Sequence, residues 1–294
     1  MIQILQGDCR EVLKTLPDCS VHCCVTSPPY FGLRSYGIGT ENGEIGLEST
    51  PDAYVAELVA VFREVRRVLR DDGTLWLNLG DSYAGSGKGR NADGSHQEGG
   101  KQGTSRGTIE GRLVKTYAPD CKPKDLIGIP WRVAFALQAD GWYLRQDIIW
   151  AKPNPMPESV KDRCTKSHEY IFMLTKNARY YFDSDAIKEP ANYDGRKDTV
   201  MKGSAKYQNG YFPTDVNTQS IALKGHERWK ENADGVKVRN KRSVWTVTTK
   251  PYKEAHFATY PPDLIQPCIR AGCPAGGTVL DPFGGSGTTG EVAA

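Results

Sequence analysis

The fold of this chain is decided by residues 21–30, VHCCVTSPPY. Residues 21–25 form a short apolar run, which is typical of a strand buried on both faces of a parallel sheet. Pro28 and Pro29 end that strand, because consecutive prolines fix two φ angles and remove two N–H donors. We therefore expect a buried strand that runs directly into a rigid loop. In open α/β sheets, ligands bind beyond the carboxyl ends of the strands, which is where this loop would lie.

The loop carries groups that suit a planar ligand with an exocyclic amino group. The Ser27 hydroxyl can accept a hydrogen bond, and the Ser27 and Pro28 carbonyls lack the usual local donors because prolines follow them. Tyr30 adds a flat aromatic ring. The simpler interpretation is a Pro-Pro turn followed by a surface tyrosine, and the loop alone does not decide between the two.

A second strand-to-loop transition lies at residues 279–290, VLDPFGGSGTTG. Residues 285–290 fit GxGxxG, the dinucleotide-binding pattern, which is weak on its own. A nicotinamide enzyme would need a complete βαβ unit and an acidic residue about 20 positions further on. Only four residues follow this pattern, and residues 281–283, Asp-Pro-Phe, precede it.

The two stretches, in this order, resemble the amino-group DNA methyltransferases of the β subgroup, in which the chain is circularly permuted. The resemblance implies S-adenosylmethionine as the cofactor and methyl transfer to cytosine N4 or adenine N6. It implies a catalytic loop made of Ser27, Pro28, Pro29 and Tyr30. The cofactor residues that it implies are Asp281, Pro282, Phe283, Gly285, Ser286, Gly287, Thr288, Asp8 and Phe257.

Several of these residues have a specific expected role. Asp281 is expected to meet the cofactor ammonium group by a charge-assisted hydrogen bond. Asp8, which also has the pattern of a helix N-cap, matches a family position near the cofactor adenine. Phe257 lies in a motif that lines the methionine side of the cofactor site. The segments Trp150–Asn154 and His168-Glu169 also resemble the family, in which they flank the target-base pocket.

The resemblance also implies how the base is held. The target nucleotide leaves the duplex, because its amino nitrogen is not reachable inside the stack. Tyr30 stacks on the flipped base, while the Ser27 hydroxyl and the Pro28 carbonyl accept hydrogen bonds from the amino group. Family members with Ser at the first loop position are often cytosine-N4 enzymes, so we favour cytosine N4 over adenine N6.

Hydrophobic periodicity predicts a doubly wound α/β fold with a mostly parallel sheet and a smaller inserted lobe. Residues 1–187 would form the first part of the catalytic core, with a strand at residues 2–5 and a turn at residues 71–73. Residues 84–112 have low complexity and are expected to be mobile or to act as a linker. Residues 243–294 would form the cofactor-binding part. In the family a further strand follows the cofactor loop and ends in an acidic residue that binds the ribose hydroxyls. We therefore expect either that the sequence is truncated at its C-terminus or that another segment supplies this function.

Residues 188–242 are expected to form a target-recognition insertion. Residues 188–245 carry 12 Lys or Arg and 7 Asp or Glu, a net charge of +5, whereas the whole chain carries +3. Basic side chains neutralise phosphates, and the interleaved aromatic side chains can stack on bases. The alternative is a packed insertion without contact to DNA.

The composition fits a soluble globular protein of 294 residues, 38% hydrophobic and 25% charged. No apolar run is long enough for a membrane helix, and the N-terminus lacks the pattern of a signal peptide, so we expect a cytoplasmic protein. The eight cysteines include no CxxC pattern, which favours free thiols and no metal site.

We expect double-stranded DNA as the partner, with a restriction endonuclease as a further candidate, and the oligomeric state stays open. Three other classes of protein also stay open: a catalytically inactive DNA-binding relative, a nicotinamide-dependent oxidoreductase, and an RNA or protein methyltransferase.

Overall fold

A computed structural model of the chain describes residues 1–32, 43–84, 121–191, 230–231, 235–249 and 260–294. Contacts divide it into two units: Met1–Ala186 with Arg242–Ala294, and Ile187–Lys241. Most of the predicted loop 84–112 lies outside the described residues. Ala84 itself is buried, and its N–H donates to the Asp125 carbonyl over 2.8 Å.

The first unit is built on a six-stranded mixed sheet. Its strands are β1 (Val21–Thr26), β2 (Leu69–Leu79), β3 (Tyr143–Ala151), β4 (His168–Thr175), β8 (Val244–Thr246) and β9 (Val279–Leu280). The spatial order is β8-β3-β4-β2-β1-β9. The strand β4 runs antiparallel to both of its neighbours, and the other three pairings are parallel. The prediction of a mostly parallel α/β sheet is confirmed.

The helices of this unit are α1 (Cys9–Val12), α2 (Pro51–Val68), α3 (Ile129–Ala139), α4 (Pro262–Gly272) and α5 (Thr288–Ala293). The helix α2 begins where the sequence predicts it, because Thr50 accepts a hydrogen bond from Ala53 N–H over 3.1 Å and Pro51 fits the first helical position. In the helix α4, Pro261-Pro262 provides the same kind of proline start.

Both faces of the sheet are covered, which explains the continuous apolar runs in its central strands. On one face, Cys24 and Leu75 join a core cluster that includes residues of α2 and α3. On the other face, Gly272 of α4 lies so close to Cys23, Thr74 and Trp76 that a Cβ atom would be within 3.0 Å of each side chain.

The second unit contains a three-stranded antiparallel sheet. Its strands are β5 (Glu189–Pro190), β6 (Lys230–Glu231) and β7 (Lys237–Arg239), in the order β5-β7-β6. The Arg239 guanidinium pairs with the Glu189 carboxylate over 2.9 Å. The predicted target-recognition role of this segment stays a prediction.

Two local predictions are wrong. Residues 2–5 form no strand, and the side chains of Ile2 and Ile4 are 55% and 86% exposed, because an alternating apolar pattern makes a strand only where a partner strand pairs with it. Residues 71–73 form no separate turn, because they lie within β2, at an irregularity in its pairing with β1.

Candidate active site

The two loops singled out in the sequence leave neighbouring strands of the sheet. The strands β1 and β9 pair in parallel, with Cys24 opposite Leu280. The loop that begins at Ser27 and the loop that begins at Asp281 therefore emerge at the same edge. The structure thus brings together the predicted catalytic and cofactor loops, which are far apart in the chain.

The carboxylate of Asp281 connects the two loops and the helix α5 through hydrogen bonds. Its Oδ1 accepts hydrogen bonds from the Thr26 hydroxyl over 2.5 Å and from Phe283 N–H over 3.0 Å. Its Oδ2 accepts from the Tyr260 hydroxyl over 2.9 Å and from the Thr289 hydroxyl over 2.6 Å. A carboxylate offers about four acceptor positions, so these four bonds use its capacity. The expected contact of Asp281 with a ligand ammonium group stays a prediction, and it would have to share or displace one of them.

Tyr260 is a buried donor within this network. Burial raises the pKa of its phenol well above the usual value of 10.0, and the charge of Asp281 adds to the shift. The hydroxyl therefore stays protonated and can keep donating to the carboxylate. The Tyr260 and Thr289 hydroxyls also contact each other at short distance, where Thr289 is the second residue of α5. Because each hydroxyl has one proton, a hydroxyl that donates to the other does not donate to Asp281 at the same time.

The glycine-rich loop exposes its backbone. Gly285 and Gly287 have φ angles of 48° and 81°, which are favourable for glycine and costly for other residues. A Cβ atom at Gly284 would meet only the Asp281 carbonyl, at 3.9 Å, and one at Gly287 would meet nothing within 4 Å of the described structure. The loop therefore leaves room for a ligand to approach the main chain. Ser286 and Thr288 contact each other through their hydroxyls over 3.0 Å.

The predicted catalytic loop is held in place by contacts with α2 and with Gly46. Pro28 is buried, and the buried side chain of Tyr54, in α2, donates a 2.7 Å hydrogen bond to the Pro29 carbonyl. Gly46 packs so closely that a Cβ atom there would lie 3.1 Å from the Tyr30 carbonyl. Within the part of the chain that the structure describes, no backbone donor reaches the Pro28 carbonyl. That carbonyl can accept a hydrogen bond from a ligand.

The side chain of Tyr30 extends from the catalytic loop to the ends of the central strands β2 and β4. A Cβ atom at Gly80 would come within 2.5 Å of its ring, so the ring packs directly on the Gly80 backbone. Its hydroxyl donates to Glu169 Oε2 over 2.9 Å and lies 3.2 Å from Asn78 Oδ1. Burial raises the pKa of the Tyr30 phenol well above 10.0, and the negative charge of Glu169 adds to this effect.

Glu169 belongs to the His168-Glu169 segment, which the family resemblance placed beside the target-base pocket without giving Glu169 a role of its own. Its Oε1 forms a short ion pair with Lys152, and both side chains are 17% exposed. The Lys152 ammonium also lies 4.1 Å from the ring centre of Trp150. Because β4 is antiparallel, its amino end lies at the edge where β2 and β3 have their carboxyl ends. This topology brings Glu169 to the catalytic loop.

Thr26, Asn78 and Tyr260 were also missed. Each lies at or near the end of a strand or just before a helix, and a polar residue at the carboxyl end of a buried strand is a usable signal in an α/β sheet. The side chains of Thr26 and Asn78 are only 0% and 4% exposed, and the sequence alone does not indicate that these polar residues are buried.

Two predicted cofactor residues are not connected to the loops by the described contacts. Asp8 caps α1 by accepting from Arg10 N–H over 3.0 Å, and its carboxylate pairs with the Arg10 side chain over 2.6 Å. That hydrogen bonding lowers the pKa of Asp8. Its expected role near an adenine stays a prediction. Phe257 lies outside the described residues.

Among the described residues, no group of three or more His, Cys, Asp or Glu side chains is arranged to hold a metal ion. The helices in these same parts of the chain include none that is long and apolar enough to span a membrane. The eight cysteines all lie within the described residues, and none of them forms a disulfide.

Comparison with known proteins identifies relatives over nearly the whole chain. A family model described as DNA methylase, N6_N4_Mtase, matches residues 21–294. The Type II methyltransferase M.XycI of Xanthomonas campestris pv. cyanopsidis is 46% identical over 290 residues, which span 98% of this chain and 78% of the relative.

Solved structures share the fold. The cytosine-N4-specific PvuII DNA methyltransferase superposes with a TM-score of 0.57 at 18% identity, over 98% of this chain and 76% of that chain. TTHA0409 of Thermus thermophilus, solved in complex with S-adenosyl-L-methionine, gives a TM-score of 0.51 at 22% identity, over 98% of this chain and 81% of that chain.

Proposed function

This chain belongs to the DNA methylase family, and from that premise we propose that it transfers a methyl group from S-adenosylmethionine to the exocyclic amino group of a flipped base in double-stranded DNA. Cytosine N4 is the favoured target, and adenine N6 is the alternative. The choice of cytosine is supported by Ser27 at the first position of the catalytic loop.

The observation that carries the proposal is the hydrogen bond between Thr26 and Asp281. Thr26 immediately precedes the catalytic loop, and Asp281 begins the glycine-rich loop. A methyl transferase must hold the methyl donor and the accepting nitrogen in line at close range, since orientation supplies much of the rate enhancement. A direct link between the two loops provides that fixed relation.

The glycine-rich loop fits the amino-acid end of the cofactor. The open space at Gly284 and Gly287 lets a ligand approach the backbone, and the Ser286 and Thr288 hydroxyls lie beside it. Asp281 fixes the shape of this loop through its four hydrogen bonds. The cofactor supplies a methyl carbon that is activated by the positive charge of its sulfonium.

The catalytic loop fits an amino group. The Pro28 carbonyl and the Ser27 hydroxyl would accept its two hydrogens, which draws the nitrogen lone pair out of conjugation with the ring. Tyr30 would stack on the base, while its opposite side rests on Gly80. No covalent intermediate is needed, and the buried Cys23 and Cys24 have raised pKa values that keep their thiols protonated.

Double-stranded DNA is the proposed partner, and the basic segment 188–242 is the proposed target-recognition region. A restriction endonuclease of the same specificity is a further proposed partner, because the relative M.XycI is named a Type II methyltransferase.

Transfer of tritiated methyl groups tests the proposal. The purified chain should label unmethylated double-stranded DNA, and it should not label RNA or protein under the same conditions. DNA binding without label would identify an inactive relative, and label in RNA or protein alone would overturn the assignment of DNA. A calorimetric titration with NADH should give no binding, whereas S-adenosylmethionine should bind.

A further inference from the structure

The loop between β3 and β4, residues 152–167, leaves the sheet at the same edge as the catalytic loop. It begins at Lys152, whose ammonium pairs with Glu169, and Glu169 Oε2 accepts a hydrogen bond from the Tyr30 hydroxyl over 2.9 Å. Because β4 runs antiparallel to β3, the loop both leaves and re-enters the sheet at this edge. The Lys152 N–H donates to the Ser167 carbonyl over 2.8 Å and closes the loop. The loop is therefore a neighbour of the catalytic loop within the same unit of the chain.

Two sets of hydrogen bonds fix the shape of this loop. The first ties Asn154 to Thr249, because Asn154 Nδ2 donates to the Thr249 carbonyl over 3.1 Å and Oδ1 accepts from the Thr249 N–H over 3.0 Å. In the second, the Arg163 guanidinium donates to both oxygens of Glu158, over 2.6 and 3.2 Å. Three prolines within residues 153–157 restrict the backbone between the two sets. The loop therefore has a defined shape before it meets any partner.

Met156 lies between these two fixed points. Its side chain is 86% exposed, and outside residues 1–5 no other large apolar side chain in the described parts of the chain is as exposed. Single exposed apolar side chains are common, so exposure alone carries no argument, whereas position does. The four residues from Lys152 to Met156 span at most about 14 Å. This distance is comparable to the width of the major groove, about 12 Å, so Met156 can reach the base stack beside a base held by the catalytic loop.

The charges around Met156 suit a polyanion. Residues 152–166 carry four Lys or Arg and two Asp or Glu, which gives a net charge of +2. Both acidic side chains are already paired with basic ones, since Glu158 pairs with Arg163 and Asp162 pairs with Lys124 over 2.7 Å. Basic side chains can neutralise phosphates, while the apolar tip of the loop can contact the bases. This combination favours DNA over an apolar protein surface as the partner.

The proposed reaction creates a need for an apolar side chain at this place. A base that leaves the duplex costs unstacking and unpairing energy and leaves a gap in the stack. DNA-binding proteins that unstack bases frequently insert an apolar side chain between base steps. Methionine suits such a gap, because its unbranched thioether fills irregular spaces and contacts aromatic faces favourably.

We propose that residues 152–167 form a DNA-contacting loop and that Met156 inserts into the duplex at the gap left by the extruded base. This inference rests on the proposed methyl transfer to a flipped base. Asn154 and Glu158 act as positioning residues that hold the loop, and Met156 takes no part in the chemistry. The contact is made by the core unit and is additional to the one proposed for residues 188–242.

The test compares Met156→Ala, Met156→Leu and Met156→Glu with the native chain. Tyr143→Ala and Tyr143→Glu are the matched controls, because Tyr143 is 47% exposed and begins β3, at the edge of the sheet opposite the loop. Single-turnover methyl transfer is measured on a short duplex that carries a site labelled by the native chain, and on the same duplex with a mismatch at the target base. Anisotropy gives the affinity for a fluorescein-labelled duplex, and calorimetry gives the affinity for S-adenosylmethionine.

The insertion predicts that Met156→Ala methylates the paired duplex about tenfold or more slowly, because nothing fills the gap in the stack. A mismatched base leaves the stack at lower cost, so the same variant should lose at most about threefold on the mismatched duplex. Met156→Leu keeps an apolar side chain of similar size and should restore most of the native rate.

The two affinities separate contact with DNA from contact with the cofactor. Met156→Glu should bind the labelled duplex about tenfold or more weakly, because its carboxylate would face the phosphates, whereas Tyr143→Glu should bind like the native chain. Affinity for S-adenosylmethionine should stay within about twofold in all variants.

A native rate of Met156→Ala on the paired duplex would overturn the insertion, and so would equal losses on the paired and mismatched duplexes. A Met156→Leu variant as slow as Met156→Ala would also overturn it. Native DNA affinity in Met156→Glu, beside an active native chain, would refute the DNA contact of the loop alone. A folded native chain that binds the cofactor and DNA but labels no DNA would mean that the proposed methyl transfer fails, and the insertion with it.

Discussion

The hydroxyl of Thr26 donates a 2.5 Å hydrogen bond to Oδ1 of Asp281, although 255 positions separate the two residues in the chain. Thr26 is the last residue of β1 and is fully buried. Asp281 directly follows β9. The bond therefore connects the starting points of the two loops for which we propose coordinated functions, and it makes the geometry of each loop depend on the other.

Thr26→Val should weaken cofactor binding without unfolding the protein, because it removes the donor and keeps the shape. Hydrogen bonds to charged groups contribute about 1.5–3 kcal/mol, so we expect affinity for S-adenosylmethionine to fall about tenfold or more in a calorimetric titration. Thr175→Val is the matched control, since Thr175 is equally buried but bonds to the Asn177 carbonyl. Native affinity in Thr26→Val would mean that the bond does not shape the cofactor site.

Gly284→Ala should weaken cofactor binding without lowering the stability of the free protein. In the free protein the added methyl group has one described neighbour, the Asp281 carbonyl at 3.9 Å, so the melting temperature should stay close to that of the native chain. If the cofactor lies against this backbone, the methyl group occupies its space. We expect weaker binding of S-adenosylmethionine by calorimetry, and an unchanged dissociation constant would remove Gly284 from the cofactor site.

Tyr30→Ala should reduce methyl transfer far more than it weakens cofactor binding. Base–aromatic stacking is worth about 1–3 kcal/mol, which corresponds to a loss of about five- to 150-fold, and the loss of the hydroxyl adds to it. The measurements are labelled methyl transfer to DNA and calorimetry on the same preparation. Equal losses in both would argue against stacking of the base on Tyr30.

The stability of the chain should fall at alkaline pH because thiols are buried in β1. Burial raises the pKa of Cys23 to about 12 and that of Cys24 well above the ordinary 9.0. Above pH 9 the unfolded thiols ionise while the folded thiols stay protonated, so unfolding releases protons and stability decreases as pH rises. Each thiol should account for about 1.4 kcal/mol between about pH 8 and about pH 10.

Cys24→Ala should therefore lose less stability than the native chain between these two pH values in urea unfolding under reducing conditions. Cys164→Ala is the matched control, because Cys164 is exposed, and its pH dependence should follow that of the native chain. If Cys24→Ala lost as much stability as the native chain, burial of the Cys24 thiol would not cause the effect.

The parts of the fold that the sequence predicts well are those with local causes. Residues 21–25 are apolar except for His22, and two prolines stop the strand, so both β1 and its loop could be recognised. The start of α2 was equally clear from Thr50 and Pro51. In contrast, residues 2–5 have a strand-like pattern without a strand, because pairing depends on a neighbour that the local pattern does not provide.

The contacts within the site that the sequence did not predict have causes that are not local. Glu169 lies 139 positions from Tyr30, and the two meet only because β4 runs antiparallel beside β2. Residues 168–175 contain no local pattern that indicates an antiparallel strand. The sequence also did not indicate the four hydrogen bonds that Asp281 accepts. Three of them come from Thr26, Tyr260 and Thr289, which meet at this carboxylate only in the folded chain. The sequence therefore singled out two loops that the structure places at one edge of the sheet, and it did not indicate the polar network behind them.

The most direct test of the proposed activity is the identity of the methylated nucleoside. Unmethylated double-stranded DNA is incubated with the chain and labelled S-adenosylmethionine, digested to nucleosides, and separated by chromatography with mass detection. We expect the label in N4-methyldeoxycytidine. Label in N6-methyldeoxyadenosine would contradict the choice of cytosine, and DNA without label from a folded protein that binds the cofactor would contradict the proposed methyl transfer.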